Sequence, residues 1–283
     1  LLQGALPDDG AEFLVTLPIA LSSKAKFVPA AIGTSVHVHP GYKAKSQQAA
    51  DRALRALGAP SGGTLSIRTE IPEGKGLASS SADLVASVRA VGDAYGVALN
   101  ESNIEDLLRG IEPSDGVMYS DIVSFDHLRV RLRQRLGTLP PLVVVGHDVG
   151  GVVDTVTFNQ ESATYSAAQL SEYRRLHADL TLAIEQQDVR TVGRISTRSA
   201  ELSSERTPRR DFARVRDVCE EVDGLGLVIA HSGTYLGVLL DPAEANYPEQ
   251  LTQACESCAE LQGSVSVFSS LGRKIDPQSG DNK

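Results

Sequence analysis

A chain of 283 residues with 41% hydrophobic content is long enough for two ordinary domains and apolar enough to build real cores. Its net charge of -9 argues against an affinity that depends on neutralising nucleic-acid phosphates over a broad face. No run approaches the roughly eighteen consecutive apolar residues of a membrane span, and "LLQGALPDDGAEF" lacks the charged-then-apolar order of a secretory signal, so a cytoplasmic protein is expected. The first residue is leucine, and residues upstream of "LLQG" are expected.

In chain order, "AEFLVTLPIALSSKAKFVPA" reads as two strands joined by a short turn. A further strand follows through "SVHVHP", then a helix through "YKAKSQQAADRALRALG". Residues 63–71, "GTLSIRTEI", alternate apolar and polar side chains as a half-buried strand does. Beyond them "PEGKGLASSSAD", residues 72–83, leads into a helix whose apolar face carries Leu84, Val85, Val88 and Val91. A second helix is predicted around "NIEDLLRGI". The arginine-rich "HLRVRLRQRLG", residues 127–137, reads as a solvated helix or strand face, with an RNA-contacting edge the less favoured reading.

From Pro140 the pattern restarts. "PLVVVGHDVGG" is a buried strand entering a glycine turn, followed by helical stretches near 165–187, 189–204 and 211–222. "GLGLVIAHSGTYLGVLLD" supplies two strands around a tight turn, then come a helix and the strand "GSVSVFSS". This order suits a small α+β sandwich with its sheet covered on one face, and a boundary near residue 138. The tail "DPQSGDNK" is expected to fray.

Cys219, Cys255 and Cys258 are too few and too uneven for a disulfide framework, and "CESC" has no second pair to complete a zinc site. His37 and His39 share one side of a strand without a third ligand nearby. Neither group reads as a metal centre.

The informative stretch is the serine loop. Two glycines, a lysine and three serines sit where a loop becomes a helix N-terminus, and that place offers free N–H groups and the positive end of the helix dipole to an anion. Glycine lets the backbone approach a phosphate closely, and hydroxyls can complete a magnesium shell. The stretch is neither G-x-x-x-x-G-K-[ST], nor G-x-G-x-x-G, nor G-x-S-x-G. A serine-rich helix cap would also account for it.

"PEGKGLASSSA" resembles the second motif of the GHMP kinases (galactose, homoserine, mevalonate and phosphomevalonate kinases), P-x-x-x-G-L-G-S-S-A-A, through Pro72, Gly76, Leu77, Ser79, Ser80 and Ala82. Ala78 replaces the usual glycine and Ser81 a usual alanine. A closer resemblance is to the L-threonine kinases of cobalamin biosynthesis. It is carried by "EPSDGVM" at 112–118, "FDH" at 125–127, "GGVVDTVTFN" at 150–159, "HSGTYLG" at 231–237 and the opening "LLQG".

The resemblance implies an α+β, two-domain GHMP-kinase-like fold. An N-terminal ribosomal-S5-like α/β domain would span residues 1–138 and a C-terminal ferredoxin-like α+β sandwich residues 139–283. It implies ATP bound by Gly74, Lys75, Gly76, Leu77, Ala78, Ser79, Ser80 and Ser81, and Mg2+ held by Ser80 and Glu112, with Glu105 as the fallback ligand. Asp115 would be the catalytic group, as base or as orienting group, although "EPSDG" is also a good turn. Asp154 and Thr155, with Ser232, Gly233 and Thr234, would face the substrate; strand-end caps and a hairpin turn are the plain readings of those segments.

The implied reaction phosphorylates L-threonine to O-phospho-L-threonine. The alternatives are another small alcohol, such as a homoserine-like amino acid or a specialised-metabolite precursor, and a non-catalytic relative that binds nucleotide or RNA. The expected partner is a small hydroxylated amino acid, with no nucleic acid and no membrane, and a homodimer is allowed.

Overall fold

The computed structural model describes residues 1–8, 10–30, 35–151 and 164–272. The first half opens with β1 (Leu2–Ala5) and β2 (Glu12–Val15), an antiparallel pair in register from Leu2 opposite Val15 to Ala5 opposite Glu12. β3 (Ser23–Pro29), β4 (Val36–His39), α1 (Ala44–Ala56) and β5 (Gly63–Thr69) follow. β4 and β5 pair in parallel through α1, and β3 closes the other side of β5 antiparallel, giving the order β3-β5-β4. This is a β-α-β crossover, which parallel pairing requires.

α1 and α2 (Ser79–Ala94) cover that small sheet, and α3 (Glu101–Leu108) packs against both helices; α3 is capped by Asn100, whose side chain accepts from the Asn103 amide at 2.9 Å. Leu84, Val88 and Val91 of α2, Ala49, Ala53 and Leu54 of α1, and Leu65 of β5 form one buried cluster. β6 (Ile122–Asp126) and β7 (Arg131–Gly137) then join the opening pair in the sheet β1-β2-β6-β7.

β7 is an edge strand within the arginine-rich stretch, and Arg129, Arg133 and Arg135 of that stretch pair with carboxylates of the protein. Arg129 pairs with Asp126 at 2.9 Å, and Arg135 pairs with Asp121 at 3.0 Å and lies over the Tyr119 ring. Charged edge strands resist pairing with other chains.

The second half contains β8 (Val143–Asp148), α4 (Ala167–Glu185), α5 (Val189–Arg206), α6 (Phe212–Glu221), β9 (Gly226–Ile229), β10 (Tyr235–Leu240), α7 (Tyr247–Ala259) and β11 (Ser264–Ser269). Its sheet runs β11-β8-β10-β9 and every pair is antiparallel. Two strands, each returning after helices, with a hairpin between them, are the ferredoxin-like pattern that the sequence implied.

One expectation is corrected here. The sheet is covered on both faces, because β8 and β10 are apolar on both sides. Val143, Val145, Leu236, Val238 and Leu240 pack with Val215, Val218, Ala254 and Cys258 of α6 and α7. Val144, Tyr235 and Leu239 join Tyr173, Leu180 and Ile195 of α4 and α5 and reach Leu2, Phe13 and Val15 of the first sheet. This second cluster therefore welds the two halves of the chain together.

Cys219, Cys255 and Cys258 are free thiols, and His37 and His39 lie exposed on β4. Among the described residues no three His, Cys, Asp or Glu side chains gather to hold a metal, and no helix is long and apolar enough to cross a membrane.

α5 lies against β9 at a glycine. A Cβ at Gly193 would fall 2.0 Å from the Leu225 carbonyl oxygen, a contact only a backbone shift could relieve. Gly193→Ala is expected to destabilise the protein by about 2 kcal/mol or more, since overpacking outweighs the helix propensity gained. A denaturant midpoint equal to that of the parent protein would contradict this packing.

Candidate active site

A cavity of about 810 Å3 opens between the halves. Its walls include the serine loop, the start of α2, the 112–117 turn, and the β9–β10 connection.

The loop turns tightly, as its glycines suggest. Gly74 and Gly76 adopt positive φ of 69° and 75°, and Ala78, the residue before α2, also lies in the left-handed region at φ 60°, ψ 28°. Its tight turn brings the N-terminus of α2 to face the cavity with no side chain capping it, so its amides and dipole are available to an anion. α2 is anchored from behind by Asp83, a buried carboxylate that accepts from the Ser23 hydroxyl at 2.5 Å and pairs with Lys43. Lys43 in turn holds Glu73 at 2.7 Å.

The three serines diverge. Ser80 is exposed and donates to one oxygen of Glu112, whose other oxygen is paired with the Lys45 ammonium. Ser81 is buried, and its hydroxyl accepts from the Asp115 amide at 3.1 Å. Helix geometry turns successive side chains by about 100°, so one serine reaches the carboxylate while the next fixes the turn that carries Asp115. That turn is held from its other side by the Ser114 amide, which donates to the His127 carbonyl at 3.0 Å. The Asp115 carboxyl is pushed up to about 6, first by burial and then by the neighbouring charge of Glu112.

Glu105 is elsewhere. It is buried, accepts from the Tyr119 hydroxyl at 2.6 Å and the Leu132 amide at 2.9 Å, and does not border the cavity. The fallback ligand is thereby corrected: Glu105 joins α3 to β7, with both bonds ending on its Oε1, away from the cavity.

Behind the loop, Gly76 and Gly233 meet backbone to backbone. A Cβ on Gly76 would lie 2.6 Å from the Gly233 Cα, and one on Gly233 would lie 1.9 Å from the Lys75 carbonyl oxygen. Arg209 holds that connection in shape; its guanidinium donates to the carbonyls of Gly233 at 2.6 Å, Ala230 at 3.0 Å and His231 at 3.2 Å. Ser232 borders the cavity, whereas the Thr234 hydroxyl donates to Asp148 at 2.5 Å. Asp154 and Thr155 lie outside the described residues.

The sequence reading did not single out Lys45, Asp148, Arg209 or the pair His127 and His231, whose rings meet edge to face at 4.8 Å in the cavity wall. An acid ending an apolar strand before two glycines, as Asp148 does, was the one local signal available. Burial, followed by the nearby charges of His127, Arg209 and Arg206, pushes His231 down to about 3, so its ring is neutral at physiological pH.

Residues 44–125, which contain the loop, α2 and the Asp115 turn, match the family described as GHMP kinases N terminal domain. Over that stretch the chain is similar to the N-terminal domain of GHMP kinases. It is 29% identical over 179 residues to an L-threonine kinase of Salmonella typhimurium, covering 62% of this chain and 59% of that protein. It is 27% identical over 180 residues to an L-threonine kinase of Citrobacter freundii, covering 62% of each. The match thus spans about three fifths of the length of these relatives.

The likeness of fold to solved kinase structures extends over most of the chain. The structure of mevalonate kinase from L. major, in complex with R-mevalonate, superposes with a TM-score of 0.66 at 14% identity, covering 92% of this chain and 89% of that one.

The left-handed Ala78 stands where the GHMP motif has glycine. Replacing it relieves a conformation that costs an L-residue about 1–2 kcal/mol, offset in part by the freer unfolded chain. Ala78→Gly is expected to stabilise the protein by up to about 1 kcal/mol, read from the urea midpoint; a loss of stability would contradict the left-handed turn.

Proposed function

We propose that this protein is an ATP-dependent kinase that transfers the γ-phosphoryl group to the side-chain hydroxyl of L-threonine, giving O-phospho-L-threonine and ADP. The observation that carries the reading is the convergence of Ser80, Glu112 and Asp115 at the open N-terminus of α2, on the rim of one cavity. The similarity to two L-threonine kinases supports the choice of acceptor. A cytoplasmic location and ATP as the phosphoryl donor belong to the same proposal.

Phosphoryl transfer asks a protein mainly for positioning and for charge compensation. In the proposed reaction the loop amides and the α2 dipole bind the triphosphate, and the threonine hydroxyl lies beside Asp115. The bond from the hydroxyl oxygen to phosphorus forms as the bond from phosphorus to the ADP oxygen breaks, and the hydroxyl proton passes to Asp115. A carboxyl pushed up to about 6 is charged at neutral pH and can accept that proton or orient the hydroxyl.

Mg2+ fits the donor set. Ser80 and Glu112 bring a hydroxyl and a carboxylate oxygen into contact at the phosphate end of the cavity. One or two protein oxygens completed by phosphates is the usual setting of this hard cation. When bound there, the ion would neutralise charge on the phosphates. The Lys45 ammonium, now paired with Glu112, is a second positive charge beside the same oxygens.

The test is ADP release with Mg-ATP against L-threonine, L-serine, L-homoserine, mevalonate and galactose. Turnover strongest on L-threonine, lost in Asp115→Asn and in Ser80→Ala while both variants stay folded, is the expected result. Turnover on a different alcohol alone would discard threonine, and turnover on none of them would favour a non-catalytic nucleotide-binding relative.

The pH dependence has a definite sign. Asp115 loses its charge as pH falls through about 6, so kcat should drop about tenfold per unit below that value. Because its folded value lies above the ordinary one, the charged carboxylate opposes folding above about pH 6, and this penalty fades as pH falls below it. Asp115→Asn should therefore melt at a higher temperature than the parent at pH 7.5, with the gap narrowing below about pH 6 and closing only near the ordinary carboxyl value of about 4. A parent protein already the more stable at pH 7.5 would contradict the perturbed carboxyl.

A further inference from the structure

Lys75 is the cation inside the phosphate loop, and the simple expectation is that it touches a phosphate. Its ammonium is occupied otherwise. It pairs with Asp148 at 2.7 Å and donates to the Gly151 carbonyl at 2.7 Å. Asp148 is the last residue of β8, is buried, and receives two further donors: the Thr234 hydroxyl at 2.5 Å and the Gly150 amide at 3.0 Å. Burial alone would raise this carboxyl, but the bonds from Lys75, Thr234 and Gly150 hold it below the usual range.

Three segments therefore meet on one carboxylate. Lys75 belongs to the loop, Thr234 to the connection before β10, and Gly150 to the turn after β8. On its neighbouring side the loop touches the same connection through Gly76 and Gly233, with no space for a side chain. The loop is thus fastened to the second half at two adjacent points, one of backbone packing and one of charge. Lys75 does not border the cavity, although Gly74 and Gly76 on either side of it do.

We infer that Asp148 is a positioning residue of the nucleotide site, and that Lys75 acts as a strut that ties the loop to the C-terminal sheet while the backbone amides of the loop and α2 hold the phosphates. This rests on the proposed role of the loop in binding nucleotide. It assigns the lysine a job opposite to that of a phosphate ligand, and the two jobs differ in sign. If Lys75 is a strut, removing the Asp148 charge loosens the loop and weakens nucleotide binding. If Lys75 is a ligand restrained by Asp148, the same change frees it and nucleotide binds as well or better.

The experiment compares Asp148→Asn, Lys75→Met and the double variant with the parent protein by two readouts. The first is hydrogen exchange of the 73–80 amides without nucleotide, which does not depend on kinase activity. The strut predicts about tenfold faster exchange in either single variant and little further change in the double, as for two partners of one interaction. The second is KM for ATP against kcat. Both single variants should raise KM about tenfold and lower kcat by a smaller factor, with non-additive effects in the double.

Thr234→Val should shift both readouts the same way and Thr234→Ser restore them, because only the hydroxyl reaches Asp148. Unchanged exchange in Asp148→Asn, or an Asp148→Asn protein that binds ATP more tightly, would overturn the inference. Faster exchange together with a parent protein that turns over no ATP would uphold the strut and reject the kinase reading.

Discussion

The arrangement of this protein depends on one close approach, that of the Gly76 and Gly233 backbones. Neither position has space for even a methyl group. Two chain segments more than 150 residues apart in sequence therefore pack like the backbones of neighbouring strands, and the loop before α2 becomes part of both halves. Everything else at the site inherits its place from this contact: the end of α2, the serines in its first turn, and through Ser81 the turn that carries Asp115.

The site is assembled by economical use of one helix. A short run of serines at the start of α2 serves different ends because a helix turns its side chains away from one another. Ser80 looks into the cavity toward Glu112, and Ser81 looks into the protein toward the backbone of Asp115. One turn deeper, Asp83 ties the same helix to β3 and to the approach to α1. A shift of α2 would move the Ser80–Glu112 contact and the Asp115 turn together. That coupling suits the proposed phosphoryl transfer, in which attacking and leaving oxygens must stay in line.

Much of this was legible in the sequence wherever the signal was local. Alternation along 63–71, the glycines and serines of 74–81 and the apolar face beginning at Leu84 located β5, the loop and α2. The helix expected at 189–204 runs from Val189 to Arg206. The contacts that closed the site were not legible, because they join residues far apart in the chain. Lys45 meets Glu112 across 67 residues, and Asp148 meets Thr234 across 86. An exposed lysine on a helix and an acid at a strand end carry no pattern that reveals such partners. Glu105 shows the reverse error: its proximity in sequence to Glu112 suggested a shared ion, whereas α3 directs it inward to Tyr119 and the Leu132 amide.

Arg209 has a bearing on how such a protein could change over generations. The connection from 230 to 233 owes its shape to a guanidinium bonded to three of its carbonyl oxygens, and carbonyls are the same whatever residue bears them. Gly233 is fixed by its neighbour, and Ser232 borders the cavity beside it. A lysine could not take over this task, since a point charge cannot span a set of acceptors as a planar fork does. The arrangement separates form from composition: one side chain outside the connection sets its path through groups that every residue shares, and with it the seat against which Gly76 packs.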